Sequence, residues 1–299
     1  MTASTGASYL EALYQDWSDR MATDPDMSIA MLRALFDEWH QPTLEPEQVT
    51  YKSDTWAGVE GIWAQPVGLE PTRVILYTHG GGFAVGSAAS HRKLGGHLAT
   101  ALDAAALVID YRRSPEHPFP AQLEDATAVY RELLERGYAP ENIVTCGDSA
   151  GGNLAVSTVL KLREDGVPLP GAVIAVSPWL DMEHAGETLE TNAATDALVQ
   201  RQILEGMSAM FLGGTGQAKD PLANPLYADF TGFPRLYIDV GSSETLLDNA
   251  TRLAELARSA GVDVTLSIVD GMQHVFPILA GRAKEADEEI ARIARWYAA

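Results

Sequence analysis

The sequence predicts an α/β fold, with a mostly parallel sheet flanked by helices and with a helical cap. From residue 74 onward, short continuous apolar runs alternate with amphipathic helical segments, which implies parallel strands joined by crossover helices. Two stretches stand apart from this alternation, a helical and aromatic segment over about 1–45 and an insertion over about 183–214. No internal repeat or flexible linker divides the chain, so we expect a single domain over 1–299 whose cap is built from these two stretches.

The N-terminal segment has the pattern of two helices. Their apolar residues recur at helical spacing: Tyr9, Leu13, Tyr14 and Trp17 in the first helix, and Ile29, Leu32, Leu35, Phe36 and Trp39 in the second. Asp24 and Pro25 are typical of the N-cap and first position of the second helix, and Pro42 ends it. These apolar faces either dock on the core or lie over a site as part of a lid, and the sequence leaves both interpretations open.

The predicted strands and helices then follow in order. Strands are expected from β-branched and apolar runs that begin at Val49 and cover 59–64, 74–78, 106–109, 143–146, 172–176, 235–240 and 264–269. The segments between them predict helices over about 90–102, 122–136, 154–162, 246–260 and 280–297. The insertion carries another apolar helical stripe, formed by Val199, Ile203, Met207, Met210 and Phe211. This stripe indicates that the insertion covers part of the domain.

The charge composition limits the classes of partner. The chain has 41 Asp and Glu residues against 21 Lys and Arg, so its formal net charge is −20. Nucleic-acid binding depends on cationic groups that neutralise phosphates, and the same acidic field repels anionic membranes and polyanionic ligands. We therefore expect no nucleic acid and no membrane among the partners, and we interpret the charge as a solvated acidic surface.

Cysteine usage and the lack of targeting segments bear on the compartment. One cysteine, Cys146, allows no intrachain disulfide and no multi-cysteine metal site. It is expected to be a buried, inert side chain of a strand. The first residues lack a basic segment followed by an apolar run, and no apolar stretch approaches the roughly 20 residues needed to cross a bilayer. These features predict a cytoplasmic protein.

The sequence Gly147-Asp148-Ser149-Ala150-Gly151 has the pattern Gly-x-Ser-x-Gly and lies between a strand-like run and a helix-forming segment. In this context the pattern forms a nucleophile elbow, a strained turn that projects the serine hydroxyl above the sheet. Glycines at both ends leave room for the sharp turn and for close packing of the helix. We therefore predict that Ser149 is a nucleophile.

A serine nucleophile needs a base to take its proton and an acid to orient that base. Among seven histidines, His274 follows the last predicted strand within a few residues, as expected of the base in the order Ser, acid, His. The acid should follow the strand 235–240, where Glu244 and Asp248 are both in reach. We favour Glu244, which lies in the loop at the strand end. Asp248 is the alternative acid, although interaction with the dipole of the next helix would also account for it.

The glycine run His79-Gly80-Gly81-Gly82 follows the strand 74–78 and offers backbone N–H groups that no side chain obstructs. Together with the N–H of Ala150, these groups can converge on an oxyanion. A phosphate-binding loop is unsupported because no Gly-Lys-Ser/Thr follows, and the glycine spacing is not that of a dinucleotide fold. The histidines between 79 and 97 lack metal-ligand spacing, so we expect neither a metal nor a cofactor.

Four stretches of the chain form a highly specific combination of motifs: His79-Gly80-Gly81-Gly82, Tyr111-Arg112-Arg113-Ser114-Pro115-Glu116-His117-Pro118-Phe119-Pro120, Gly147-Asp148-Ser149-Ala150-Gly151-Gly152 and Ser177-Pro178-Trp179-Leu180-Asp181. They resemble the hormone-sensitive-lipase family of α/β-hydrolases, in its bacterial carboxylesterase branch. The resemblance runs from about residue 50 to the end. It implies the α/β-hydrolase fold with an eight-stranded sheet, and a cap made from the N-terminus and the insertion after the sixth strand.

The resemblance also implies roles for individual residues. Ser149 would be the nucleophile and His274 the base, and the oxyanion donors would be Gly81, Gly82 and Ala150. One position departs from the family, which usually has Asp-Pro-Leu where this chain has Glu244-Thr245-Leu246. The longer Glu side chain then requires a withdrawn backbone or a different rotamer. The resemblance further implies homodimers formed through the edge strand near Val264.

The expected activity is hydrolysis of small, neutral, short-chain carboxylic esters through an acyl-enzyme, without a cofactor. A lactone is an internal ester that the same groups would open, so lactone hydrolysis is the alternative activity. A non-catalytic small-molecule receptor of the same fold is a third reading, which the retained base His274 disfavours. Candidate pocket walls, for which core packing is an equal explanation, are Trp17, Phe36, Trp39, Met207, Met210 and Phe211.

Overall fold

A single sheet runs through the molecule and carries the predicted site at the carboxyl ends of its parallel strands. The computed structural model describes residues 5–24, 26–70 and 72–299. Within these residues the sheet has eight strands in the order β1-β2-β4-β3-β5-β6-β7-β8. The strands are β1 (Val49–Trp56), β2 (Val59–Pro66), β3 (Val74–Thr78), β4 (Ala105–Ile109), β5 (Ile143–Asp148), β6 (Ala172–Val176), β7 (Arg235–Gly241) and β8 (Val264–Val269). The predicted eight-stranded sheet is confirmed.

The pairing of the strands is mostly parallel. β2 pairs antiparallel with both β1 and β4, and every other neighbouring pair is parallel. The central strands β3, β4, β5 and β6 are buried along their whole length, which explains why their sequences read as continuous apolar runs.

Helices cover both faces of the sheet. In the described residues they are α1 (Thr5–Thr23), α2 (Ile29–Phe36), α3 (Ala88–Ala101), α4 (Ala121–Glu135), α5 (Ala150–Glu164), α6 (Thr188–Thr191), α7 (Arg201–Leu212), α8 (Leu247–Ser259) and α9 (Lys284–Ala298). Short 3₁₀ turns occupy Asp37–His40, Pro140–Asn142, Pro225–Tyr227 and Phe276–Leu279. Alternate residues of β7 face opposite sides: Ile238 packs in a core with α5 and α8, whereas Tyr237 contacts Trp296 of α9.

Four predicted helix boundaries differ from the structure. The second helix was expected to continue until Pro42, but α2 ends at Phe36 and a 3₁₀ turn follows over Asp37–His40. The predicted N-cap at Asp24 is wrong, because α2 begins at Ile29 and is capped by Ser28, whose hydroxyl accepts from the N–H of Met31. Pro25 lies outside the described residues. The helix after Ser149 begins at once, at Ala150. The last helix begins at Lys284, because Gly281 has a positive φ of 76° and Ala283 is extended.

The N-terminal helices are joined to each other by aromatic packing. The Trp17 ring of α1 lies 5.4 Å from Phe36 and 5.9 Å from Trp39, and Tyr14 lies 6.4 Å from Trp39. All four side chains are buried. Trp39 also lies 5.4 Å from His91 of α3, which ties this cluster to the sheet domain. Part of each predicted apolar stripe is therefore packed in the core.

Candidate active site

The predicted nucleophile, Ser149, lies in a strained turn between β5 and α5. Its backbone angles are φ 53° and ψ −120°, a conformation that side-chain-bearing residues rarely adopt. A Cβ at Gly151 would lie 1.9 Å from the Thr78 carbonyl oxygen, so the turn tolerates only glycine there. The Ser149 N–H donates to Val176 O at 2.9 Å and its carbonyl accepts from Trp179 N–H at 3.0 Å. These bonds to β6 and the loop after it hold the turn in place.

The predicted base and the favoured acid are in direct contact with each other. His274 lies in the loop after β8, and its Nδ1 is 2.8 Å from Glu244 Oε2. The side chains of both residues are almost completely buried. Burial alone lowers the pKa of His274, but the hydrogen bond to Glu244 and the charges of Glu244, Asp196 and Asp148 outweigh it and raise the pKa above its ordinary value. The pair is thus arranged to stabilise an imidazolium.

The alternative acid, Asp248, lies elsewhere. It is in the first turn of α8, where its Oδ2 accepts from the N–H of Thr188 at 3.1 Å and its Oδ1 from the Asn249 amide at 3.2 Å. Its described contacts are with the insertion and its own helix, and none of them is with His274. The structure therefore brings Glu244 to the base and does not bring Asp248.

Ser177 links the three loops of the site, and the sequence did not single it out for this role. Its hydroxyl donates to Glu244 Oε1 at 2.6 Å and accepts from the N–H of Val275 at 3.0 Å. The preceding residue, Val176, binds the backbone of Ser149. A signal was available, because Ser177 directly follows a predicted strand on the same sheet edge as the nucleophile.

The predicted oxyanion donors lie in two adjoining turns. Gly81 and Gly82 have φ values of 110° and 58°, which favour glycine at both positions. The turn is closed by the N–H groups of Ala84 and Val85, which donate to Gly81 O at 3.0 and 2.9 Å. Ala150 is the first residue of α5, where the helix dipole is positive. Within the described residues, the N–H groups of Gly81, Gly82 and Ala150 have no protein acceptor.

Helix α7 of the insertion lies against the glycine loop. The ring of Phe211 stacks on Phe83 with centroids 3.8 Å apart, and Phe119 lies 5.4 Å from Phe211. A Cβ on Gly82 would lie 2.8 Å from the sulfur of Met207, so this side chain covers the loop directly. Of the predicted pocket walls, Met207 and Phe211 are therefore at the site, whereas Trp17, Phe36 and Trp39 pack on one another.

The segment of the insertion before α7 holds the loops of the acid and the base, a role the sequence analysis missed. Asp196 Oδ2 accepts from the N–H and hydroxyl of Thr245, next to Glu244, at 2.9 and 3.1 Å. Gln273, next to His274, accepts from Ala197 N–H at 2.9 Å and donates to Thr195 O at 2.7 Å. In the sequence, the position of Gln273 next to the predicted base was the only indication of this role.

Helix α1 makes a third contact with the site. The hydroxyl of Tyr14 donates to the carbonyl oxygen of His274 at 2.8 Å. Tyr14 is fully buried, and burial raises the pKa of its hydroxyl well above the ordinary value, so it remains a neutral donor. Both N-terminal and inserted helices thus contact the candidate catalytic loops.

The cysteine, the possible metal ligands and the helix lengths were further points of the sequence analysis. Cys146 is buried in β5, as predicted, and burial raises the pKa of its thiol. Over residues 5–24, 26–70 and 72–299, no group of three or more His, Cys, Asp or Glu side chains could hold a metal ion. The same part of the chain contains no helix that is both long and apolar enough to cross a membrane.

The chain is similar in sequence and fold to known esterases. A family model described as the α/β-hydrolase fold matches residues 75–278. An acetyl-hydrolase of Streptomyces hygroscopicus is 44% identical over 214 residues, which are 72% of this chain and 71% of that protein. An esterase of Acinetobacter venetianus is 36% identical over 242 residues, 80% of this chain and 79% of that protein. The crystal structure of an esterase from the bacterial hormone-sensitive lipase family superposes with a TM-score of 0.94 at 38% identity and covers 99% of this chain and 98% of that chain.

Proposed function

Since the chain belongs to the hormone-sensitive-lipase family of α/β-hydrolases and is a carboxylic ester hydrolase, we propose that it cleaves short-chain esters with a Ser149–His274–Glu244 triad. The observation that carries this proposal is the 2.8 Å hydrogen bond between His274 Nδ1 and Glu244 Oε2. This buried pair is linked to the strained serine turn through Ser177, which binds Glu244, and through the preceding residue, Val176, which binds the Ser149 N–H. The hydrogen bond to Glu244 orients the imidazole so that Nε2 is free to act as the base.

In the acylation step, Ser149 Oγ attacks the carbonyl carbon of the ester while His274 Nε2 takes the hydroxyl proton. The negative charge that develops on the carbonyl oxygen is stabilised by the N–H groups of Gly81, Gly82 and Ala150. The C–O bond to the alcohol then breaks, and the proton on Nε2 passes to the leaving alkoxide. Glu244 stabilises the imidazolium throughout and stays ionised.

Deacylation repeats the same steps with water. His274 takes a proton from a water molecule, the resulting hydroxide attacks the acyl carbon, and the same backbone donors stabilise the second oxyanion. The bond between the acyl carbon and Ser149 Oγ breaks, and Oγ recovers its proton from Nε2. The products are a carboxylic acid and a free serine.

The preference for short acyl chains is supported by the side chains above the glycine loop. Phe83 and Phe211 are stacked at 3.8 Å, and Met207 lies against Gly82, so bulky apolar groups are close to where an acyl chain would bind. One relative is named an acetyl-hydrolase, which agrees with a small acyl group. We therefore expect acetyl and butyryl esters to be better substrates than esters with chains of eight or more carbons.

The test is hydrolysis of a series of p-nitrophenyl esters by the wild type and by Ser149→Ala. We expect a burst of nitrophenol from the wild type and a loss of kcat of about 10⁴-fold or more in the variant, because the nucleophile is removed. Undiminished turnover by Ser149→Ala would show the assignment to be wrong. A panel of five- and six-membered lactones tests the alternative, because faster opening of a lactone than of the acetate ester would favour lactone hydrolysis. Binding of these compounds without turnover of any of them would favour the receptor.

A further inference from the structure

Asp148 is a fully buried carboxylate beside the nucleophile that the proposed mechanism does not use. It occupies the variable position before Ser149, at the end of β5, and its side chain has no solvent exposure. One oxygen, Oδ1, accepts from the hydroxyl of Tyr77 at 2.6 Å and from the backbone N–H of Gly80 at 3.1 Å. A single carboxylate therefore joins the nucleophile turn to the glycine loop.

The second oxygen has a buried basic partner. Asp148 Oδ2 lies 3.4 Å from His91 Nε2, and both side chains are wholly buried. The other ring nitrogen of His91, Nδ1, lies 2.9 Å from Ser90 Oγ and 3.2 Å from the Ser87 carbonyl oxygen, so both ends of the ring face polar groups. Burial by itself opposes ionisation of Asp148, but His91 and the Tyr77 hydroxyl outweigh it and hold the pKa of the carboxyl below its ordinary value. His91 is therefore a buried basic neighbour of this carboxylate.

The glycine loop is built to approach Asp148 closely. A Cβ on Gly80 would lie 2.2 Å from Oδ2, so only glycine allows the contact. On the other side of Gly80, the carbonyl oxygen of His79 accepts from the hydroxyl of Tyr111 at 2.7 Å, and the two rings stack at 4.3 Å. Burial lowers the pKa of His79 to about 3, so its ring is neutral and packs as an aromatic group. The loop is thus held from both sides at Gly80.

We propose that Asp148 is a positioning residue that sets the distance between the two halves of the oxyanion hole. One half, the N–H groups of Gly81 and Gly82, directly follows the residue that Asp148 binds. The other half, the N–H of Ala150, lies two positions after Asp148 itself. Because misplacement of a catalytic group by about 1 Å can cost about 10²-fold in rate, a bond that spans both halves controls the rate. This inference rests on the proposed serine mechanism.

The experiment compares Asp148 with a matched buried carboxylate far from the glycine loop. Glu289 of α9 is also unexposed and accepts from a buried tyrosine hydroxyl, Tyr237, at 2.7 Å, with Arg292 as its cationic partner. Asp148→Ala and Asp148→Asn are compared with Glu289→Ala and Glu289→Gln. The readouts are kcat and KM for p-nitrophenyl acetate per active serine titrated with a fluorophosphonate, the affinity for a trifluoromethyl ketone, and Tm.

Asp148→Ala is expected to lower kcat per active serine by about 10²-fold, the scale of one lost oxyanion donor, with KM changed less than about threefold. Affinity for the trifluoromethyl ketone, which forms a tetrahedral adduct, should fall by a similar factor. Asp148→Asn keeps an oxygen acceptor for Gly80 and should retain kcat within about tenfold of the wild type. The Glu289 variants should have a lower Tm than the wild type and the same kcat per active serine.

A second variant keeps the proposal testable if Asp148→Ala does not fold. Gly80→Ala preserves every carboxylate but places a Cβ 2.2 Å from Asp148 Oδ2, so it pushes the loop away and should cause the same loss of kcat. Rates per active serine within threefold of the wild type in Asp148→Ala or Gly80→Ala would overturn the inference. A wild type that does not hydrolyse the esters, or an active Ser149→Ala, would instead overturn the proposed function.

Discussion

At the scale of single residues, Glu244 shows how a longer acid can replace the usual aspartate. Its N–H bonds to the Gly241 carbonyl at 3.3 Å, and its Oε1 folds back to accept from the Gly241 N–H at 2.6 Å. Glu244 Oε1 therefore accepts both from the backbone of its own turn and from the Ser177 hydroxyl. The extra methylene group of Glu lets the other oxygen, Oε2, reach His274 Nδ1 at 2.8 Å. The hydrogen bonds within this turn thus accommodate the Glu side chain that replaces the family's usual Asp.

The first prediction concerns the choice of acid. Glu244→Gln is expected to lower kcat by about 10⁴-fold, the effect of neutralising a triad acid, because the amide favours the wrong imidazole tautomer. Asp248→Asn should change kcat less than threefold, since its carboxylate contacts Thr188 and Asn249. Steady-state kinetics with p-nitrophenyl acetate measure both variants. A large loss in Asp248→Asn alone would reverse the assignment.

The second prediction concerns pH. Only neutral His274 can take the proton from Ser149, and its pKa is raised, so the acidic limb of kcat/KM should lie above pH of about 6.5, the ordinary pKa of imidazole. Below that limb the imidazole is protonated and the activity falls. Asp196→Asn removes one of the charges that raise this pKa and should move the limb to lower pH. An unmoved limb in Asp196→Asn, with the protein folded, would contradict this account.

At the scale of elements, α7 is fixed to the sheet domain at its C-terminal end. The N–H of Phe119 donates to the carbonyl oxygen of Phe211 at 2.7 Å, and the Phe211 ring lies on Phe83 just after the glycine loop. The proline-rich stretch that contains Phe119 thus holds the cap helix in register with the oxyanion donors. The Phe211 ring both packs α7 against the sheet domain and borders the site. A change at this ring is therefore expected to alter both the size of substrate that fits and the packing of the cap.

The third prediction follows from that coupling. Phe211→Ala should shift the preferred acyl chain toward longer esters by two carbons or more, because the ring that borders the site is removed. It should also destabilise the protein by about 3 kcal/mol, as loss of a buried Phe does. Phe230→Ala is the matched control, since Phe230 is 1% exposed and lies 5.1 Å from Phe233 in the other core. An equal shift in chain preference in both variants would contradict the specific role of Phe211.

At the scale of the whole molecule, β8 ends the sheet with one side of its backbone unpaired among the described residues. Ile268 of this strand is 47% exposed, so the edge presents an apolar side chain beside free N–H and carbonyl groups. Such an edge can pair with a second copy of the same strand. We therefore propose a homodimer through β8, in agreement with the expectation from the sequence.

The fourth prediction tests this dimer. Light scattering of the wild type should give about twice the chain mass of 32.2 kDa, and Ile268→Lys should give the chain mass itself because the lysine opposes its own copy across the edge. Val67→Lys is the control, since Val67 is 59% exposed and lies after β2, at the opposite side of the sheet. A monomeric wild type, or a dimer that survives Ile268→Lys, would contradict the proposal.

Most of the fold could be predicted because its signals are local. The run 172–176 coincides with β6, because a strand that is buried along its whole length requires consecutive apolar residues, and the run 264–269 coincides with the edge strand β8. The predicted start of α2 was wrong because both Asp24-Pro25 and Ser28 are residue types that favour a helix N-terminus. Only the hydrogen bond from the Met31 N–H to the Ser28 hydroxyl distinguishes the two positions. Helix-capping propensities alone do not predict that hydrogen bond.

The sequence by itself determined the α/β fold, the strained serine turn, the glycine loop and the family, because turn sterics and apolar periodicity depend on neighbouring residues. Only the tertiary structure decided that Glu244 and not Asp248 meets His274, that α7 covers Gly82, and that Tyr14 holds the base loop. Tyr14 and His274 are separated by 260 positions, and Asp148 and Gly80 by 68. Contacts at such separations depend on how whole elements pack, which no local pattern records.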